Sequence, residues 1–205
     1  MNNLKYYINL INEARSHPDL NIKSPAIATL EKYKNQSGLY VHFNDIEKIG
    51  VNLQSKNTFG PYGVYAFPLD YAIQNYERII ASGIKTRKYM TILKAKSGIN
   101  ILDLGKIKRA TLENIKNLVN TFSRKIKAQE LTGNNRRDFH NIQITISSIA
   151  RRIGRSFQSL SNSIFRKLGY DAIYDNNRML NDNPNQIVFL KSNTFDILET
   201  VPFRK

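Results

Sequence analysis

The chain has 205 residues, 41% of them hydrophobic, and its 31 Lys and Arg against 16 Asp and Glu give a net charge of +15. This length suits one domain with its own core, and 10 Phe and 11 Tyr argue against a disordered chain. The absence of cysteine excludes disulfides and thiolate metal sites, and three scattered histidines, His17, His42 and His140, argue against a histidine metal cluster. We therefore expect a folded protein that uses no metal.

The excess of basic residues predicts a polyanionic partner, which can be RNA, DNA or a protein associated with them. The sequence shows no apolar signal segment at its start and no run that approaches the ~18 apolar residues of a membrane span. We therefore expect a cytoplasmic protein that makes no membrane contact.

Helical and strand patterns follow one another through the first half of the chain. Apolar residues at helical spacing predict helices over residues 1–20, 25–34 and 69–82, the last of them ended by Gly83. Runs of β-forming residues predict strands over residues 39–43, 63–67, 89–95 and 100–104. Asn44 and Asp45 predict a short turn of helix before Gly50, and residues 54–62 are typical of a loop.

A basic helical segment occupies residues 112–168, with an interruption near residues 132–135. In its second half, apolar residues recur at steps of 4, 4, 3, 4 and 4, which predicts one face of a single long helix: Ile149, Ile153, Phe157, Leu160, Ile164 and Leu168. Residues 116–168 carry 11 basic and two acidic side chains, so +9 of the charge lies here. Strands are predicted on either side of an Asn-rich loop, at residues 170–175 and 186–190. This order predicts one α+β domain over residues 1–205, with the helical insertion at 112–168.

The face opposite those apolar residues is basic and carries Arg151, Arg155, Asn162 and Arg166. A solvated helix face is the usual explanation of charge on a helix, but such a face normally mixes signs, and residues 144–168 contain no acidic residue. We therefore expect this surface to bind a polyanionic acceptor. The residues expected to do so are Arg151, Arg152, Arg155, Arg166 and Lys167.

A set of residues in fixed order suggests a family. His42 lies in the first strand, the strand Gly63-Val64-Tyr65-Ala66-Phe67 follows about twenty residues later, and Tyr76 comes eleven residues after Tyr65. Near the end stands the segment "KLGYDAIYDNNRMLNDNPNQIVFL". Each feature alone is ordinary, since a lone strand histidine is more often a core residue with one hydrogen bond. Together, over residues 37–96 and 165–190, they resemble the ADP-ribosyltransferase superfamily, in the His–Tyr–Glu branch typified by the poly(ADP-ribose) polymerases and diphtheria toxin. The tail segment resembles small phage and bacterial members.

The resemblance implies a split mixed or antiparallel sheet, with helices before it and the basic insertion ahead of the last strands. It implies NAD as a substrate, with His42 bonded to the adenosine ribose and the backbone amide of Phe43 bonded to the nicotinamide carboxamide. Tyr65 and Tyr76 would hold the nicotinamide ring between them. Two further residues, Gly63 and Tyr71, are expected to line the cofactor site.

This sequence differs from the family at the position of the family's glutamate. Aligning the segment on its Pro-x-Gln places Asn183 at that position, with Asp182 just before it and Gln186 opening the strand. The catalytic candidates are therefore Asp182, Asn183 and Gln186, whereas Asp171 and Asp175 better suit structural roles. Three functions stay open: a toxin-like phage or bacterial mono-ADP-ribosyltransferase, acting in the host cytoplasm or packaged in a virion; an inactive nucleic-acid-binding or virion-associated relative; and an NAD glycohydrolase.

Overall fold

Seven β-strands and six α-helices form the part of the chain that the structure, a computed structural model, describes: residues 25–47, 60–81, 87–180 and 185–203. The strands are β1 (Leu39–Asn44), β2 (Val64–Pro68), β3 (Tyr89–Ala95), β4 (Ile101–Asp103), β5 (Ala172–Asp175), β6 (Gln186–Phe189) and β7 (Phe195–Pro202). The helices are α1 (Pro25–Tyr33), α2 (Leu69–Gln74), α3 (Tyr76–Ala81), α4 (Arg109–Thr121), α5 (Asn135–Arg152) and α6 (Phe157–Lys167). Short 3-10 turns lie at Leu104–Lys106 and Ser192–Thr194.

The strands form one mixed sheet in the order β4-β5-β6-β2-β1-β3-β7. Only β4 and β5 run parallel, and every other neighbouring pair is antiparallel. Strand β1 pairs with β3 over six residues but with β2 over two, at Tyr40–Pro68 and Val41–Phe67. Neighbouring strands pair over six or seven residues in the β1–β3–β7 half and over three or four in the β4–β5–β6–β2 half. The two halves meet at the β1–β2 junction, which has the fewest residue pairs.

Helices cover one face of both halves. The insertion cluster, which α4, α5 and α6 bury against β4, β5 and β6, contains Leu112, Ile115, Phe139, Ile146, Leu160, Phe165 and Val188. The α1 cluster, on the β1–β3 half, contains Leu30, Val41, Phe43, Phe67, Met90 and Phe203. A third cluster, on the opposite face, contains Val64, Ala66, Leu93, Phe189 and Phe195. Each large side chain buried in this way contributes roughly 1.5–3 kcal/mol.

Helix α5 shows how the insertion folds. Its buried residues Phe139, Ile142, Ile146 and Ile149 follow helical spacing, so they line one face. The side chain of Asn134 caps its first turn by accepting a hydrogen bond from the backbone N–H of Arg137 at 3.0 Å. The α+β class, and helices in this insertion, are confirmed.

The single long helix predicted across residues 149–168 is wrong, because α5 ends at Arg152 and α6 begins at Phe157. Gly154 lies between them with φ +67°, a left-handed conformation that ends a helix. The side chain of Ser156 then caps α6 by accepting from Ser159 N–H. Ile153, expected on the apolar face, is exposed.

One further predicted helix is divided in the structure, and one strand was not predicted. The helix expected over residues 69–82 breaks at Asn75, whose backbone N–H and side-chain amide both donate to the carbonyl of Tyr71. Strand β7 was not predicted, although it pairs with β3 over seven residues. The helix expected over residues 1–20, and most of the loop at 54–62, lie outside the described residues.

Candidate functional site

His42 lies where β1 and β2 stop pairing. Its Nδ1 is 2.7 Å from the backbone carbonyl oxygen of Tyr65 on β2, so the side chain spans the strands just beyond the last pair at Val41–Phe67. A carbonyl oxygen only accepts hydrogen bonds, so Nδ1 carries the proton and donates. In the neutral ring Nε2 is then the acceptor.

The imidazole is strongly biased toward this neutral form. Burial lowers the pKa of His42 to about 4, the hydrogen bond to the Tyr65 carbonyl opposes part of that shift, and the positive charge of Arg87 adds to it. At neutral pH His42 is therefore uncharged, with the unprotonated Nε2 available to a donor.

A row of polar side chains shares the face of His42. The register places His42 opposite Thr91 on β3, and Thr91 opposite Thr200 on β7. Asn44, two residues after His42, donates to the hydroxyl of Thr91 at 3.5 Å, and the Thr91 and Thr200 hydroxyls are 3.1 Å apart. This row was not predicted, although the alternation of apolar Val41 and Phe43 with polar His42 and Asn44 indicates it.

Asn44 has an unused acceptor. Its side-chain oxygen, Oδ1, is buried and receives no hydrogen bond from any residue in the described ranges. A buried acceptor without a partner carries a free-energy cost, and an atom enclosed in this way is not exposed to a ligand. The face of β1 thus offers a ligand one neutral acceptor, His42 Nε2, beside the enclosed Asn44 Oδ1.

The expected tyrosines occupy two different clusters. The ring of Tyr65 packs against the insertion cluster, and its hydroxyl donates to the carbonyl of Pro61 at 2.8 Å. Tyr71 stacks on Phe67 with centroids 6.0 Å apart, and Tyr76 meets Phe203 edge-on at 6.3 Å, both in the α1 cluster. The hydrogen bond brings only the Tyr65 backbone to His42. The Tyr65 ring lies on the helix-covered face with Phe67, whereas His42 alternates with Val41 and lies on the opposite face. The contact of Tyr65 and Tyr76 with one nicotinamide ring stays a prediction.

Gly63 and Phe43 have clear packing roles. A Cβ on Gly63 would lie 2.4 Å from the carbonyl oxygen of Phe189 and 2.7 Å from a methyl of Val188, so the close approach of β2 to β6 requires glycine. The ring of Phe43 packs edge-on against Phe203 at 5.1 Å. The role expected of the Phe43 backbone amide is separate from that packing and stays a prediction.

The catalytic candidates are only partly described. Asp182 and Asn183 lie outside the described residues. Gln186 begins β6, is 6% exposed, and pairs in register with Asp175. Asp175 is fully buried, and its carboxylate accepts the backbone N–H groups of three residues: Asn177, Met179 and Leu180.

Asp171 is also occupied by structural contacts. It accepts from the backbone N–H of Asn100 and forms an ion pair with Lys191 at 2.6 Å. These contacts hold the pKa of Asp171 below its ordinary value, with the Asn100 hydrogen bond as the largest cause. The contacts of both aspartates agree with structural roles.

The expected acceptor-binding residues do not form one stripe, because the helix that would have aligned them is broken. Arg151 and Arg152 end α5, and Arg166 and Lys167 end α6. Arg155, between the helices, donates to the hydroxyls of Ser159 and Ser163 at 3.0 Å. Lys167 lies 5.0 Å from the ring centroid of Phe122. Asn162, expected on this stripe, instead donates to the carbonyls of Tyr62 and Leu190.

Comparison of the chain with protein families, characterised proteins and solved structures finds no match. Within the described ranges, no group of three or more His, Asp or Glu side chains is placed to hold a metal ion. No helix in those ranges combines the length and apolar character needed to cross a membrane.

Proposed function

We propose that this protein binds NAD beside the β1–β2 junction and transfers its ADP-ribose unit to a macromolecular acceptor, as a mono-ADP-ribosyltransferase. The observation that carries the proposal is the neutral imidazole of His42, whose Nδ1 bonds to the Tyr65 carbonyl and whose Nε2 is left as an acceptor. A ribose hydroxyl is an O–H donor that suits such an acceptor.

The fold supports the same proposal. The sequence resemblance implies a split sheet, and the two halves of this sheet share only two residue pairs between β1 and β2. His42 and the Tyr65 strand face each other across that junction, which is the neighbourhood that the resemblance implies for an NAD site. Because NAD is an intracellular substrate, we place the reaction in the cytoplasm.

The transfer breaks the bond between the nicotinamide nitrogen and the ribose carbon C1′. Nicotinamide leaves with the bonding electron pair and becomes neutral, and an acceptor nucleophile forms the new bond to C1′ and loses its proton. The positive charge that develops on the ribose is stabilised by a nearby negative or polar group. Asp182, Asn183 and Gln186 are the candidates for that group.

The test measures NAD binding and transfer of label from NAD to protein and to nucleic acid in cell extract. His42→Asn retains a side-chain N–H for the Tyr65 carbonyl but lacks Nε2. We expect it to fold and to bind NAD about tenfold or more weakly, because a buried hydrogen bond to the ligand is lost. Unchanged NAD binding in this variant would contradict the proposal.

A second comparison separates function from packing. Tyr65 and Tyr170 are both partly buried rings that pack on the insertion cluster. We expect Tyr65→Ala to abolish transfer and Tyr170→Ala to retain it, although both lose packing. Comparing Asp182→Ala with Asn183→Ala then identifies the group that stabilises the developing charge.

Two alternatives predict different products. An NAD glycohydrolase, in which water replaces the acceptor, would release free ADP-ribose with or without extract. An inactive nucleic-acid-binding protein is favoured by Arg151, Arg152 and Arg166, which are exposed and have no carboxylate partner among the described residues. It would leave NAD intact and bind polynucleotides with an affinity that falls steeply with salt.

A further inference from the structure

An open, shallow basic cavity of about 380 Å³ lies between the start of α5 and the loop that follows β5. It is lined by Asn134, Arg136, Arg137, His140, Arg178 and Met179. None of these residues belongs to the polar row on β1, β3 and β7. The two segments that supply the arginines are about forty residues apart in the chain, so the fold creates this concentration of charge.

The positive charge of the cavity is not neutralised within the described ranges. Arg136, Arg137 and Arg178 have no ion-pair partner among those residues. The nearby Asp138 is buried, and its oxygens already accept three hydrogen bonds from Thr132 and Gly133. The first turn of α5 is likewise capped by Asn134. The three guanidinium groups are therefore available to an external anion.

The arginine on the loop is held in place by buried structure. Asp175 accepts the backbone N–H groups on either side of Arg178, at Asn177 and Met179, and also that of Leu180. Arg178 itself has φ 56°, in the left-handed region that a residue with a side chain rarely adopts. Because a buried carboxylate fixes this loop, Arg178 is positioned before any ligand arrives.

The donor set suits a terminal phosphate better than a carboxylate. One guanidinium can satisfy both oxygens of a carboxylate, whereas three guanidinium groups match the oxygens and the ≈ −1.5 to −2 charge of a phosphate monoester. The cavity is larger than a bare phosphate and falls in the range of small-molecule sites, roughly 300–1,000 Å³. Met179 and the imidazole of His140 add surfaces on which a base can pack.

We propose that this cavity is a site for the terminal phosphate of a nucleotide, either free or at the phosphorylated end of a nucleic-acid strand. An internal phosphodiester carries a single charge and recurs along an extended backbone, so it matches a single concavity with three arginines less well. The site shares no residue with the proposed NAD site, and each can exist without the other.

The test is calorimetric titration of the full chain with ADP, and with adenosine as the matched ligand that lacks phosphate. We expect ADP to bind and adenosine to bind at least about tenfold more weakly, because charge-assisted hydrogen bonds are lost. Arg137→Gln and Arg178→Gln should each weaken ADP binding about tenfold or more. The matched control is Arg124→Gln, which removes the same charge from an exposed arginine outside the cavity and should leave ADP binding unchanged.

Oligonucleotides distinguish the two sources. Preference for a 5′-phosphorylated strand over the 5′-hydroxyl strand of the same sequence, lost in Arg178→Gln, would assign the strand end. Binding of ADP alone would assign a free nucleotide. Equal binding of both strands, equally weakened by Arg178→Gln, would show a backbone site and overturn the proposal, as would a lack of ADP binding at low salt or an equal loss in Arg124→Gln.

Titration with NAD keeps the two proposals separable. Loss of NAD binding in His42→Asn but not in Arg178→Gln supports two sites. Binding of ADP without any binding of NAD would refute the proposed function and leave the phosphate site standing. Loss of NAD binding in both variants would make the cavity part of the NAD site and overturn its independence.

Discussion

Replacing His42 with Asn is expected to remove a pH dependence of folding stability. The pKa of His42 is about 4 in the folded protein, because burial disfavours the charged ring, against 6.5 for an ordinary histidine. The unfolded chain therefore takes up a proton that the folded chain does not. The contribution of His42 is fully present above pH 6.5 and is lost progressively as the pH falls toward 4.

The interval between the two pKa values sets the size of the loss. It spans about 2.5 pH units, and each unit corresponds to ~1.36 kcal/mol. The complete loss is thus about 3 kcal/mol. Because the imidazole is half-buried and solvent screens part of its environment, we expect a measured loss of about 2 kcal/mol between pH 7 and pH 4.5.

Urea unfolding of the wild type and of His42→Asn at pH 7, 5.5 and 4.5 measures this loss. Asn retains a donor for the Tyr65 carbonyl but does not titrate, and the carboxylates common to both proteins cancel in the difference. The wild type should therefore lose about 2 kcal/mol more than the variant over this range. Equal pH dependence of the two unfolding free energies would refute both the neutral imidazole and its assignment as an acceptor.

Three other substitutions test the packing around these sites. Asp175→Ala leaves three backbone N–H groups without an acceptor, so it should lower the free energy of unfolding by about 3 kcal/mol in urea titration. A loss under about 1 kcal/mol would contradict this role. Gly60→Ala places a Cβ 1.9 Å from the Tyr65 hydroxyl and should cost about 1–3 kcal/mol. That cost should shrink in a Tyr65→Phe background, and an equal cost in both backgrounds would exclude the clash. Gly154→Ala meets no atom within 4 Å, so its expected cost of about 1 kcal/mol is backbone strain alone, measurable as a lower Tm.

Strands that pack on two sides could be predicted from the sequence, and the breaks in the helices could not. Strand β3 has the predicted bounds, because its apolar run is buried between β1 and β7. Strand β7 was not predicted because Asp196, Ile197 and Leu198 are exposed in succession, so its pattern lacks alternation, whereas the other edge strand, β4, was predicted. The apolar period of the insertion continues across Gly154, so periodicity alone could not separate α5 from α6.

The neighbouring strands of the candidate site could be predicted from the sequence, whereas its geometry could not, and the roles of its residues stay predictions. The order of His42 and Tyr65 along the chain predicts neighbouring strands, and the two residues do meet. The contact itself, however, is with the Tyr65 backbone carbonyl, which no side-chain pattern can predict. The basic cavity could not be predicted from the sequence either, because only tertiary structure brings Arg178 close to Arg136 and Arg137.

The narrow β1–β2 junction has a mechanical consequence. Backbone ladders stiffen a sheet, and here β1–β3 and β3–β7 pair over six and seven residues and β2–β6 over three, whereas β1 and β2 pair over two. Bending of the sheet should therefore concentrate at the β1–β2 junction, where the hydrogen bond from His42 to the Tyr65 carbonyl is one further link between the strands. A ligand bound at this junction would contact both halves of the sheet, so its binding should slow backbone amide hydrogen exchange in β1 and in β2 together.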